Sequence, residues 1–171
     1  MLIGSNLLTN GDFEVGGTPP NSWIAAYANE TISTDGGSGV SASDAMLVVG
    51  TAAGNAGAYQ TFNAAVVPGQ AYKLSVYVKA LSEATYSVVA YDVTGSAAIW
   101  TLGNTEETAG DWTTNVEKVF VTPTGCISAR IYLIQYAGGA GVTTLFDDAS
   151  VYRVLYPGGS EYKMFQDLGM T

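Results

Sequence analysis

The chain has 171 residues, 47% of them hydrophobic and only 12% charged, which is enough for one domain with its own core. Fifteen acidic residues against six basic ones give a formal charge of -9, so binding to a phosphate backbone is excluded as a main role. Histidine is absent, which removes Ser-His-Asp and Cys-His catalysis, His-ligated metals and the usual base near neutral pH.

Short runs rich in Val, Tyr, Ile and Phe are punctuated by Gly, Ser, Thr and Asn, and no helical stripe persists, so the chain reads as all-β. The first expected strand is 7–13, followed by 44–50 and 57–62. The clearest pattern is 72–80, where Tyr72, Leu74, Val76, Val78 and Ala80 alternate with Lys73, Ser75, Tyr77 and Lys79. The same alternation marks 86–92, 116–121, 129–136 and 145–154. Asn10-Gly11, Asp35-Gly36-Gly37, Val67-Pro68-Gly69 and Pro123-Thr124-Gly125 supply turns between the runs. About eight such strands predict a jelly-roll β-sandwich of two antiparallel sheets. No linker divides 1–154. Beyond it, Tyr156-Pro157-Gly158-Gly159 breaks the last strand, and 155–171 reads as a short C-terminal extension or docking arm. In that extension Tyr162, Phe165 and Leu168 share a helical spacing that suits contact with a protein partner.

The lone Cys126 cannot form an intramolecular disulfide and has no histidine to activate it, so it reads as a small buried hydrophobe. The start of the chain lacks a basic leader and a long apolar run, so no export signal and no membrane span are expected.

Taken in order, Asn6-Leu7-Leu8-Thr9-Asn10-Gly11-Asp12-Phe13-Glu14, Trp23, Tyr59-Gln60, the run from Val67 to Ala80, and Leu145-Phe146-Asp147-Asp148-Ala149-Ser150-Val151 resemble the carbohydrate-binding modules of families 4, 9 and 22. The resemblance implies a jelly-roll sandwich with both ends of the domain on neighbouring strands, no catalytic activity, and a structural calcium ion where the opening and closing segments meet. Alternation sends Asp147 and Asp148 to opposite faces; Asp147, sharing parity with Ala149 and Val151, falls on the apolar side. Glu14 and Asp147 are therefore the expected metal ligands, completed by backbone carbonyls. Sugar recognition calls for aromatic rings beside hydrogen-bonding groups, and the candidates are Tyr77, Tyr91, Trp100 and Tyr136. Trp23, Trp112 and Tyr72 are expected in the core.

Acidic residues such as Asp92, Glu106, Glu107, Asp111 and Glu117 read as solvated turn formers rather than a glycosidase pair, so no catalysis is expected. Two functions fit this scaffold. The favoured one is a phage virion surface component, a capsid decoration (cement) or tail or fibre protein. It would assemble in the host cytoplasm and hold a major capsid protein, another virion protein or copies of itself. The alternative is a free-standing carbohydrate-binding module acting outside the cell through surface aromatics.

Overall fold

A computed structural model describes residues 1–28, 30–40, 44–82, 84–103, 105–107, 110–112 and 114–155. The expected docking residues Tyr162, Phe165 and Leu168, and nearly all of the 155–171 extension, lie outside them. The described chain forms twelve strands and no helix: β1 (Leu2–Ile3), β2 (Ile24–Ala25), β3 (Glu30–Gly36), β4 (Asp44–Gly50), β5 (Gly54–Thr61), β6 (Ala71–Ala80), β7 (Ala84–Asp92), β8 (Ala97–Thr101), β9 (Thr105–Glu107), β10 (Thr114–Val121), β11 (Ala129–Gly138) and β12 (Thr143–Val154).

These strands build the expected sandwich of two antiparallel sheets. The first runs β10-β6-β12-β4-β3 with β1 beside β12, and the second runs β2-β5-β11-β7-β8 with β9 beside β7. Pairing of Leu2 with Val154 brings the two ends of the domain together, as the resemblance implied. Alternation decides which face each residue takes. In β6, Leu74, Val76 and Val78 are fully buried while Lys73, Ser75, Tyr77 and Lys79 are only half-buried. From the second sheet Tyr86, Val88, Ala90, Ile131 and Leu133 meet them, and Phe62, Tyr72 and Phe120 stack at one end with centroids 6.0 and 5.9 Å apart. Burying each large apolar side chain contributes about 1.5–3 kcal/mol, so this interior is what holds the sheets face to face.

Three expectations change. Segment 7–13 is not a strand: Asn10 and Phe13 have φ of 51° and 54°, and the segment lies alongside β12 through side-chain and isolated backbone bonds. Strands β3 and β8, at 30–36 and 97–101, escaped the alternation test because they are rich in Thr, Ser and Ala and carry few large apolar residues. Trp112 is half-buried outside the core; its indole N–H donates to the Ser38 carbonyl at 2.8 Å and Lys79 lies 5.8 Å from its ring centre. Trp23 and Tyr72 are in the core as expected, and so is Cys126, which is fully buried.

Candidate functional site

The opening and closing motifs meet because glycine permits a close approach. A Cβ on Gly11 would stand 1.9 Å from the Ala149 carbonyl oxygen, and in its absence the Ala149 N–H donates to the Gly11 carbonyl at 2.8 Å. The Asn6 side chain completes the clasp, donating to the Ala149 carbonyl at 3.1 Å and accepting the Val151 N–H at 2.9 Å. Phe13 then enters the core against Trp23 at 5.2 Å, and the next residue, Glu14, is delivered to the rim, where it accepts the Asp44 N–H at 2.9 Å.

In β12 the register slips by one residue between Asp147 and Ser150, and the inserted Asp148 has φ 48°. This bulge overturns the parity argument. Phe146 faces Val78 in the core and Asp147 faces Tyr77, so Asp147 takes the outer face of the first sheet rather than the side of Ala149 and Val151. It is nonetheless 0% exposed, with one carboxylate oxygen accepting the Val40 N–H at 2.6 Å and the other accepting the Asp148 N–H at 2.7 Å. Burial dominates these two bonds, and the charges of Asp148 and Glu14 add to it, so the carboxyl is pushed up to about 6. Two carboxylates sharing one neighbourhood form a hard-oxygen set of the kind that suits calcium. Among the described residues no three acidic side chains converge on one point, so carbonyl oxygens would have to complete the shell.

The four expected aromatics do not form one surface. Tyr77 lies on the outer face of the first sheet, across the sandwich from Tyr91. Trp100 pairs with Ala90, packs against the core cluster and has Lys118 5.9 Å from its ring centre, because a bulge in β8, where Ile99 is the extra residue opposite β7, turns it inward. Tyr91 and Tyr136 remain, both half-buried on the outer face of the second sheet.

There they join residues that sequence reasoning had passed over. Strand order β5-β11-β7 sets Tyr59 beside Tyr132 and Arg130 beside Tyr91. Tyr132 is the centre: its ring lies 5.3 Å from Tyr59 and 5.8 Å from Tyr91, the latter edge-on at 83°. The Arg130 guanidinium sits 4.5 Å from the Tyr59 ring centre and donates from Nη1 to the Tyr132 hydroxyl at 3.2 Å. Beside these rings a shallow groove of about 370 Å³ is lined by Tyr27, Val89, Tyr91, Ala98, Tyr132 and Ile134. Tyr27 closes one side. Burial raises its hydroxyl above the ordinary tyrosine range, against a bond with Asn55 and beside Tyr136 and Tyr132. Glu30 fixes that wall by accepting the N–H groups of Tyr27, at 2.8 Å, and Gly57. Burial raises its carboxyl too, and both oxygens are engaged in holding backbone. A signal for this face was present in the sequence: Arg130, Tyr132 and Tyr136 share one parity on a single strand.

A face of apposed tyrosine rings with hydroxyl, amide and guanidinium groups at its edge offers a sugar both stacking and hydrogen bonds. No curated protein sequence matches the chain. Among solved structures it is similar to a cyclase from Fischerella sp. TAU, with TM-score 0.71, 15% identity, and 86% of this chain and 95% of that one covered. It is equally similar to the CBM22-1 xylan-binding domain of Paenibacillus barcinonensis Xyn10C, with TM-score 0.69, 15% identity, and coverage of 91% and 99%. It is also similar to the enzymatically active domain of tailspike protein 4 of Bacteriophage CBA120, with TM-score 0.64, 16% identity and 87% of this chain covered, but it spans only 21% of that chain. At these identities the likeness is one of fold. The sequence itself carries the family: residues 5–135 match the model of the carbohydrate binding domain CBM_4_9, more than half of the chain, and the protein belongs to that family.

Proposed function

We propose that this protein binds carbohydrate without transforming it, through the outer face of its second sheet. The observation that carries the reading is the cluster Tyr59, Tyr132 and Tyr91, held at 5.3 and 5.8 Å beside a groove of about 370 Å³. A sugar ring stacks its C–H face on such rings, while Arg130, Asn55 and the tyrosine hydroxyls meet its hydroxyl groups. The non-catalytic reading draws support from Glu30, a carboxylate beside this face, whose oxygens are occupied by the N–H groups of Tyr27 and Gly57. Affinity electrophoresis through gels containing neutral polysaccharides (xylan, glucan, mannan, galactan) or uronic acid polymers (polygalacturonate, alginate) tests the role. Retardation by at least one polymer is expected, reduced about tenfold or more in affinity by Tyr59→Ala; equal mobility in every gel would refute it.

Calcium is proposed as a structural ion held by Asp147 and Glu14 with neighbouring carbonyls. The buried, charge-crowded state of Asp147 supports it, and the ion would supply the positive charge that lets this carboxylate ionise.

A second reading, a virion surface component, draws on the fold likeness to part of a phage tailspike protein. The glycan-binding face suits that setting as well as an extracellular one, since a particle can use it to hold surface carbohydrate. Copurification of the chain with assembled particles separates the two settings.

A further inference from the structure

We propose that the tyrosine face selects glycans carrying carboxylates, that is uronic acid residues, through Arg130; this deepens the carbohydrate-binding reading and rests on it. The chain has six basic residues. Of these, Lys73, Lys79, Lys118 and Arg153 lie on strands of the first sheet, so among the described residues Arg130 is the basic side chain of the second. It stands inside the platform, 4.5 Å from the Tyr59 ring centre and 5.8 Å from that of Tyr132, with Nη1 bonded to the Tyr132 hydroxyl at 3.2 Å. Stacking and this bond fix the plane of the guanidinium.

Among the described residues the salt bridge is Lys73 with Glu117 on the other sheet, and Arg130 meets no carboxylate. Its Nε is enclosed without a hydrogen-bond acceptor. The nearby acids are committed elsewhere: Glu30 accepts Tyr27 and Gly57, and Asp92, buried on the core parity of β7, accepts the Gly95 N–H at 2.9 Å. Among the described residues no acidic side chain pairs with this fixed guanidinium, which leaves charge-assisted donors for a ligand. Nη2 has no hydrogen bond within the described residues, and a planar carboxylate matches an arginine fork better than a sugar hydroxyl does. Repulsion from the net charge of -9 opposes a polyanion. At physiological salt that repulsion is screened beyond about 8 Å, whereas a direct contact is screened much less, so the local charge decides.

The test titrates the full chain, at physiological salt, with glucuronoxylan, polygalacturonate and alginate, each beside its carboxyl-reduced counterpart, and with neutral polysaccharides. At least one acidic polymer is expected to bind about tenfold or more tightly than its reduced form. Arg130→Gln should abolish that difference and Arg130→Lys retain part of it, with melting temperatures recorded for each. Equal affinity for acidic and reduced forms, or binding of neutral polymers alone, would overturn the uronate assignment and leave carbohydrate binding standing. No binding of any polymer would overturn both. Should Arg130→Gln not fold, the wild-type comparison of acidic with reduced polymers and the lysine variant still decide the matter.

Discussion

Asp147 offers a stability measurement whose sign follows from its surroundings. The carboxyl is fully buried and its pKa rises from 3.8 to about 6. Between those values the folded chain holds a proton that the unfolded chain has lost, so in the absence of a metal stability falls as pH rises through this window. The full penalty is about 3 kcal/mol, absent below the unfolded value and complete above roughly pH 7. A cation at this carboxylate offsets that penalty, and a ligand present at a hundred times its dissociation constant adds about 2.7 kcal/mol. For a domain of this size that corresponds to roughly 5–11 °C in melting temperature. The assay is thermal melting with excess EDTA or with millimolar calcium, at pH 4.5 and 7.5, for the wild type and Asp147→Asn. Calcium should raise the wild-type melt at pH 7.5, do so much less at pH 4.5, and leave Asp147→Asn unmoved. With EDTA, the gap between wild type and variant should shift against the wild type as pH rises. A calcium response of equal size in the variant, or none in the wild type, would refute the reasoning.

Other consequences are as direct. Gly11→Ala forces a methyl to 1.9 Å from the Ala149 oxygen and strains the adjoining hydrogen bond, so a loss of about 2–4 kcal/mol is expected in urea unfolding; an unchanged midpoint would contradict the clasp. Burial and the neighbouring Asp92 push the Cys126 thiol up to about 11, so a thiol reagent at pH 8 should label it only as fast as the protein opens. Rapid labelling of the native protein would show the site to be exposed. Breaking the exposed Lys73–Glu117 pair, 2.8 Å long, should change stability by less than about 1 kcal/mol, and a larger loss would mean that the outer face of the first sheet is covered.

The fold was legible because alternation is a local signal. Residues 72–80 announce a half-buried strand whatever lies beside them, and Asn10-Gly11 marks a turn on composition alone. The bulge at Asp148 was not, for a single inserted residue reverses parity and only the pairing with β6 exposes it. Aspartate is among the residues that tolerate positive φ, which gives Asp-Asp a weak signal in retrospect. The binding face was half legible. Periodicity placed Tyr91 on a non-core side, but which tyrosines meet depends on strand order, and β5-β11-β7 is not written in any one strand. Hence Tyr77, identical to Tyr91 by local pattern, falls on the opposite side of the molecule, and Trp100 turns inward at a bulge.

That separation provides the most direct test of carbohydrate binding at this face. Isothermal titration of whichever polysaccharide retards the wild type should be repeated with Tyr132→Ala and Tyr77→Ala, both checked for an unchanged fold. Binding is expected to fall about tenfold or more in Tyr132→Ala and to persist in Tyr77→Ala. Loss of binding in Tyr77→Ala with Tyr132→Ala unaffected would move the site to the first sheet and contradict the account.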